Sequence, residues 1–176
     1  MRSALVVVLF AVSALAQDQS AVAAACGPKD VHFDVKLDNS QHTLAQPEPG
    51  KARVYFIQDV GAVRCLGGCL TTRIGLDGAW VGVNQHNSYF SVTVEPGEHH
   101  VCASPPSRLS PATSSQYAGA LLALAHFNAE AGKVYYFRTR TFGDQFQKLF
   151  DIDALDSDQA AYLVAYYPLG VSRPKP

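Results

Sequence analysis

Charge is scarce in this 176-residue chain. Asp, Glu, Lys and Arg make up 16% of it, where about 25% is usual, and the formal net charge is −1. There is no basic run and no acidic tract, so nucleic acid and anionic membrane surfaces are poor partners for it. After the first 16 residues no apolar run approaches the ~20 residues of a spanning helix, so no transmembrane segment is expected in the mature chain. Catalytic signatures are also missing. No Gly-x-Ser-x-Gly occurs, and Gly67-Gly68 lies between cysteines, outside any phosphate-loop or dinucleotide pattern. No repeat of 20–50 residues is visible. These absences imply no cofactor and point away from an enzyme.

What is present begins with an export signal. Met1-Arg2 supplies a positive start, Ala4 to Ala16 is almost wholly apolar, and Ala14-Leu15-Ala16 is an A-x-A exit before Gln17-Asp18. Residues 1–16 therefore read as a signal peptide, which places the protein in the periplasm or outside the cell. The competing reading is a lipid anchor at Cys26, which follows Ala23-Ala24-Ala25. Asp18 and Gln19 separate that cysteine from the apolar run, and no Leu stands three residues before it. Cleavage after Ala16 leaves roughly 160 residues, enough for one domain with a sizeable core.

Export changes the meaning of the four cysteines, Cys26, Cys65, Cys69 and Cys102. In an oxidising compartment they suggest two bridges with three possible connectivities. Cys65–Cys69 and Cys26–Cys102 are the favoured pairs, since Leu66-Gly67-Gly68 is short and flexible enough to turn back. The long bridge would stabilise more, about 4.5 kcal/mol against about 2 kcal/mol for the short one in the chain-entropy model. The alternative is zinc held by Cys65, Cys69 and histidines, but no second C-x-x-C or H-x3-H partner exists.

Periodicity reads as a β protein. Val31, Phe33, Val35 and Leu37 alternate with polar residues, which puts all four on one face of a strand. Ala52 to Gln58 is aromatic and β-branched, as in a buried strand. Thr71 to Leu76 and Ala79 to Val83 flank Asp77-Gly78, a type I′ hairpin signal. Strands are also expected over Tyr89 to Val94, His99 to Ser104, Leu121 to Ala129, Val134 to Thr139 and Gln147 to Asp153. Pro105 to Gly119 is rich in Ser and Pro and reads as an exposed loop. Near the end the period changes: Asp156 with Gln159 forms a capping box, and Ala160, Leu163, Val164 and Tyr167 follow at helical spacing up to Pro168. The expectation is mainly β: an antiparallel β-sandwich of prealbumin or immunoglobulin type, or an open barrel, with one short C-terminal helix. In domain terms, 17–49 is an N-terminal arm with one strand, 50–168 the sandwich with its helix, and 169–176 a loose tail.

An ordered series runs through these segments: Arg53-Val54-Tyr55-Phe56-Ile57, Gly75-Leu76-Asp77-Gly78, Ser88-Tyr89-Phe90, Glu95-Pro96-Gly97-Glu98-His99-His100 and Glu130-Ala131-Gly132-Lys133-Val134-Tyr135-Tyr136-Phe137. Taken in that order, they resemble the bacterial domain-of-unknown-function family 2846. The likeness runs roughly from Gly50 to Val164. It implies an exported or lipid-anchored envelope protein and supplies no catalytic residue. The Pro-Gly-Glu-His turn is also similar to that of prealbumin-like modules of bacterial surfaces.

Few side chains are candidates for function. His99 and His100 adjoin Cys102; on a strand His100 and Cys102 share a face and His99 points away. His86, in the turn over Asn84 to Ser88, is a third candidate metal ligand beside them. Glu98 would join these histidines in a metal-dependent hydrolase, and Glu95 with Glu98 could be imagined as an acid–base pair. Trp80, Tyr89 and Tyr135 could form a stacking surface for sugars or a partner. The expected function is a non-enzymatic module that binds or supports another envelope component. A hydrolase working outside the cytoplasm, and a secreted carbohydrate binder or inhibitor presenting the Pro105–Gly119 loop, are the competing readings.

Overall fold

The computed structural model describes residues 22–28, 31–60, 71–105, 122–143 and 148–175. The proposed signal, the Cys65–Cys69 pair and most of the Pro105–Gly119 loop lie outside these residues. Among the described residues ten strands form two sheets, with a ten-residue helix near the end. The larger sheet holds β1 (Phe33–Asp38), β10 (Leu169–Pro174), β5 (Ser88–Val94), β2 (Ala52–Gln58), β8 (Val134–Gly143) and β9 (Lys148–Ala154), in that order. The smaller holds β4 (Ala79–Gln85), β3 (Thr71–Leu76), β6 (Gly97–Ser104) and β7 (Ala123–Ala129). Helix α1 (Ser157–Tyr166) precedes β10.

Alternation fixes how the sheets meet. Val54 and Phe56 of β2, Phe90 and Val94 of β5, and Phe137 of β8 face Ile74 and Leu76 of β3, Val101 and Ala103 of β6, and Ala129 of β7. These side chains form the core between the sheets, and the two remain separate rather than joining into a barrel. The sheets are not wholly antiparallel: β2 runs parallel to β8, and β10 runs parallel to β5. A parallel neighbour cannot be joined by a tight turn, so each such pairing brings together segments distant in sequence. Short-range patterns could not reveal them.

The hairpin at Asp77-Gly78 has positive φ at both residues (52° and 78°), as a type I′ turn requires. Asp156 caps α1 by accepting from the amides of Asp158 and Gln159 at 3.0 and 2.9 Å. The helix lays Ala160, Leu163 and Val164 over Tyr55, Ile57 and Tyr89 on the outer face of the larger sheet. The segment expected to be a loose tail is a strand instead. β10 pairs with β1 along its whole length, from Phe33↔Pro174 to Asp38↔Leu169. Ser172 Oγ also bonds the amide and carbonyl of Val83 in β4, at 2.9 and 3.1 Å, and so stitches one margin of the sandwich together. β1 is an edge strand, and its alternating apolar residues are only part-buried, with Leu37 exposed.

Part of the outer face of the smaller sheet, around Trp80 and Cys102, is covered by a helical turn over 22–25. Cys26 follows it and is joined to Cys102 by a disulfide, with Cα atoms 5.3 Å apart. Ala25, Cys26 and Cys102 form a small buried cluster with Val22, Trp80 and Leu122 against it.

Candidate functional site

The side chains singled out in the sequence divide sharply once they are placed. Trp80 lies under the N-terminal arm. Its indole N–H donates to the Pro28 carbonyl at 2.6 Å, and its ring stacks 4.2 Å from the Arg73 guanidinium. Tyr89 is 2% exposed; its hydroxyl donates to the Gln41 carbonyl, and burial holds its pKa above the ordinary value. Tyr135 packs on Phe127, with ring centres 5.0 Å apart, and its hydroxyl accepts from the Glu130 amide. The three therefore form no common stacking surface. Each is used in holding the fold, because an aromatic with a polar tip suits a half-buried position with one partner.

The histidines separate in the same way. His99 is buried, with Nδ1 2.6 Å from Asp77 Oδ2 and Nε2 2.7 Å from the Glu95 carbonyl. Both nitrogens face acceptors, which ties the Asp77 hairpin to the Glu95 turn. His100 points to the other face, 3.9 Å from Glu98. His86 sits in the β4–β5 turn with φ of +59°. That turn is at the far end of β4 from the Asp77 hairpin, about 20 Å away for a seven-residue strand. His86 is therefore not brought to His99 and His100. Among the described residues no three His, Cys, Asp or Glu side chains are gathered to hold a metal. Glu95 binds Lys51, and Glu98 faces the outer surface beside His100, so the two share no reaction centre.

The arrangement that does stand out was not legible in any motif. The two poles of the sandwich are unlike. At one, β3–β4, β5–β6 and β7–β8 are joined by tight turns at Asp77-Gly78, Glu95-Pro96 and Glu130 to Lys133. At the other end β2 and β8, β6 and β9, and the start of β3 and of β7 come together, and the connections 61–70, 106–121 and 144–147 leave from there. Beneath that end the core turns polar. Gln58, Ser88 and Thr139 form one cross-strand row, two residues beyond the Phe56, Phe90 and Phe137 row. Thr72 and Asn84 face them from the smaller sheet. All five are at most 1% exposed.

Hydrogen bonds knit part of this floor. Asn84 Nδ2 donates to the Phe56 carbonyl at 3.1 Å, and the Ser88 hydroxyl donates to Asn84 Oδ1 at 3.4 Å. The Gln85 amide in turn donates to Ser88 Oγ. Thr139 Oγ1 has no hydrogen-bond partner among the described residues, although a buried hydroxyl ordinarily finds one. The floor carries amides and hydroxyls and no ionisable group. It suits hydrogen-bonded recognition.

Beside this pole, on the outer face of the larger sheet, lies a charged ladder. Arg138 bonds both carboxylate oxygens of Asp153, at 3.3 and 2.8 Å, and Arg140 pairs with Asp151 and Asp153. The Asp153 hydrogen bonds hold the Arg138 guanidinium pKa above its ordinary value. Tyr167 donates to Asp59 Oδ1 at 2.9 Å; burial first, and that carboxylate second, push its pKa well up. Every described cation of the ladder is matched by a carboxylate, so it reads as a structural network.

A family model described as a protein of unknown function, DUF2846, matches residues 48–146, more than half of the chain. The match runs from the entry to β2 as far as the β8–β9 connection, so Cys26, α1 and β10 lie outside it. No curated protein and no solved structure matches the chain.

Proposed function

The chain belongs to the DUF2846 family, and we propose that it is an exported, non-enzymatic module that binds or supports another component of the bacterial envelope through the polar pole of its sandwich. What supports this is the contrast between the poles: three tight turns at one, and at the other a buried, uncharged hydrogen-bonding floor where the connections 61–70 and 106–121 leave the sandwich. Sandwiches commonly carry their binding function on the loops of one end, where a rigid scaffold holds variable segments. The A-x-A exit at Ala16 supports export, and the engagement of Cys26 with Cys102 favours a free protein over one lipidated at that cysteine. Secretion of a carbohydrate binder or inhibitor through the same pole is the nearest variant.

Photo-crosslinking in the producing cell tests the assignment. A crosslinker at Gln85, where β4 ends at the polar pole, is expected to capture a discrete envelope component. The same group at Glu95 or Glu130, at the opposite pole, is expected to capture none. Equal capture from both poles, or fractionation of the protein with the cytoplasm, overturns the proposal. So does turnover of an envelope polymer that a single substitution abolishes. A glycan array with no hits removes the carbohydrate variant.

A further inference from the structure

We propose that His100 and His126 form a two-nitrogen site for a borderline divalent transition metal, of the Cu²⁺, Ni²⁺ or Zn²⁺ class, on the outer face of the smaller sheet. The two residues are directly opposed in the antiparallel β6–β7 pair, so their side chains leave the sheet on the same face. Their ring centres are 6.4 Å apart. Metal–nitrogen bonds of about 2.1 Å place the centres of two imidazoles on one ion roughly 5–6.5 Å apart, a range that includes the observed separation.

The contrast with other histidines of the chain makes the pair informative. His99 and His42 each have both ring nitrogens engaged, His99 with Asp77 and the Glu95 carbonyl, His42 with the carbonyls of Asn39 and Val164. The ring of His126 has no hydrogen-bond or ion-pair partner among the described residues. That of His100 has only the Glu98 carboxylate, at 3.9 Å. His126 is exposed, so core packing does not explain its ring. Glu98 and Asn128 form the next cross-strand pair on the same face. Glu98, 3.9 Å from His100 Nε2, therefore brings negative charge beside a cation at the pair. Two imidazoles suit this metal class, whereas Mg²⁺ and Ca²⁺ prefer oxygen. Affinity is expected to follow Cu²⁺ above Ni²⁺ and Zn²⁺. The site lies at the pole opposite the polar floor and does not depend on the function proposed above.

Titration calorimetry on the tag-free, disulfide-bonded protein tests the site, with Cu²⁺, Ni²⁺, Zn²⁺ and Mg²⁺ as probes and the N-terminal amine blocked. One Cu²⁺ or Ni²⁺ per chain is expected, and none for Mg²⁺. Affinity should fall at least about tenfold in His126→Ala and in His100→Ala. A saturating ion that staples β7 to β6 should also raise the thermal midpoint by about 5 °C in the unsubstituted protein and not in His126→Ala. Paramagnetic Ni²⁺ should broaden the ring protons of His100 and His126 before those of His42. Undiminished binding in His126→Ala, no binding up to ~1 mM, or broadening that begins at other histidines overturns the proposal. His126 makes no bond that the fold needs, so the variant should fold, and its unchanged midpoint without metal verifies that.

Discussion

Gly75 shows how a single residue decides what can cover a sheet. It lies between Trp80 and Cys102 in one cross-strand row of the smaller sheet. A Cβ there would stand 2.6 Å from the Ala25 carbonyl oxygen and 3.0 Å from Cys26 Cα. Both are backbone atoms of the N-terminal arm, so no side-chain rotation relieves the contact. Gly75 is therefore the space in which the arm lies, and the disulfide fixes the arm there. Gly75→Ala is expected to destabilise the protein by about 1–3 kcal/mol, as overpacking does. A denaturant midpoint measured with the disulfide intact checks this. In Cys26→Ala the arm is free to move away, so Gly75→Ala added to that variant should cost much less. Equal costs in the two backgrounds would show that the arm does not rest on Gly75. In the sequence Gly75 read only as part of a hairpin. Its reason is a contact with a segment about fifty residues away, which local pattern cannot encode.

At the scale of elements, β10 matters most, because it belongs to one sheet and holds an edge of the other. Among the described residues it supplies the only strand partner of β1, and it lies between β1 and β5. Through Ser172 it bonds the Val83 backbone, and Lys175 pairs with Asp34 at 2.7 Å. Ending the chain after Pro168 would leave β1 unpaired and uncover the edges of β5 and β4, which invites pairing between chains. The truncated protein is expected to lose about 10 °C or more in thermal midpoint, or to associate in solution; light scattering and calorimetry report both. Full stability in a monomeric truncation would return this segment to the status of a tail. The element shows where sequence reading stops. Ala52–Gln58, the Asp77-Gly78 hairpin and the Asp156 cap are local, and their residue types announce them. Leu169–Pro174 has no clear alternation and ends in proline, so its strand character comes from its neighbours. The parallel pairings and the His100–His126 register were hidden for the same reason. His126 lies in the expected strand over Leu121 to Ala129, and only pairing brings it opposite His100. The polar floor was equally silent, since Gln58 and Thr139 are far apart in the chain and meet through the parallel β2–β8 ladder.

The whole molecule carries a signature of how its outer layer is built. Helix α1 and the arm over 39–48 cover the larger sheet, and tyrosines carry much of that contact. Tyr55 and Tyr136 stack with ring centres 5.6 Å apart, and Tyr55 lies 6.2 Å from Tyr89. Burial raises the pKa of Tyr89, Tyr136 and Tyr167, and Tyr167 is raised most, with the Asp59 carboxylate adding to the effect of burial. In the unfolded chain these phenols titrate near 10. A folded-state pKa above that value means the fold prefers the neutral phenol. The resulting stability is fully present below pH about 10 and is lost as pH rises from there through the folded values. The unfolding free energy should therefore be insensitive to these groups at neutral pH and fall steeply above pH about 10. Tyrosinate absorbance should show it directly: Tyr89, Tyr136 and Tyr167 should titrate late in the folded protein and normally in denaturant. Tyr167→Phe should cost about 1–2 kcal/mol at neutral pH, where the bond to Asp59 is intact. It should also make the alkaline limb shallower, because one late-titrating phenol is gone. If the folded and unfolded proteins gave superimposable tyrosinate curves, the outer layer would not be sealed as described. If instead the late group vanished in Tyr167→Phe while the other two stayed, the seal between α1 and the larger sheet would be located at Tyr167 and Asp59, at the flank of the polar pole.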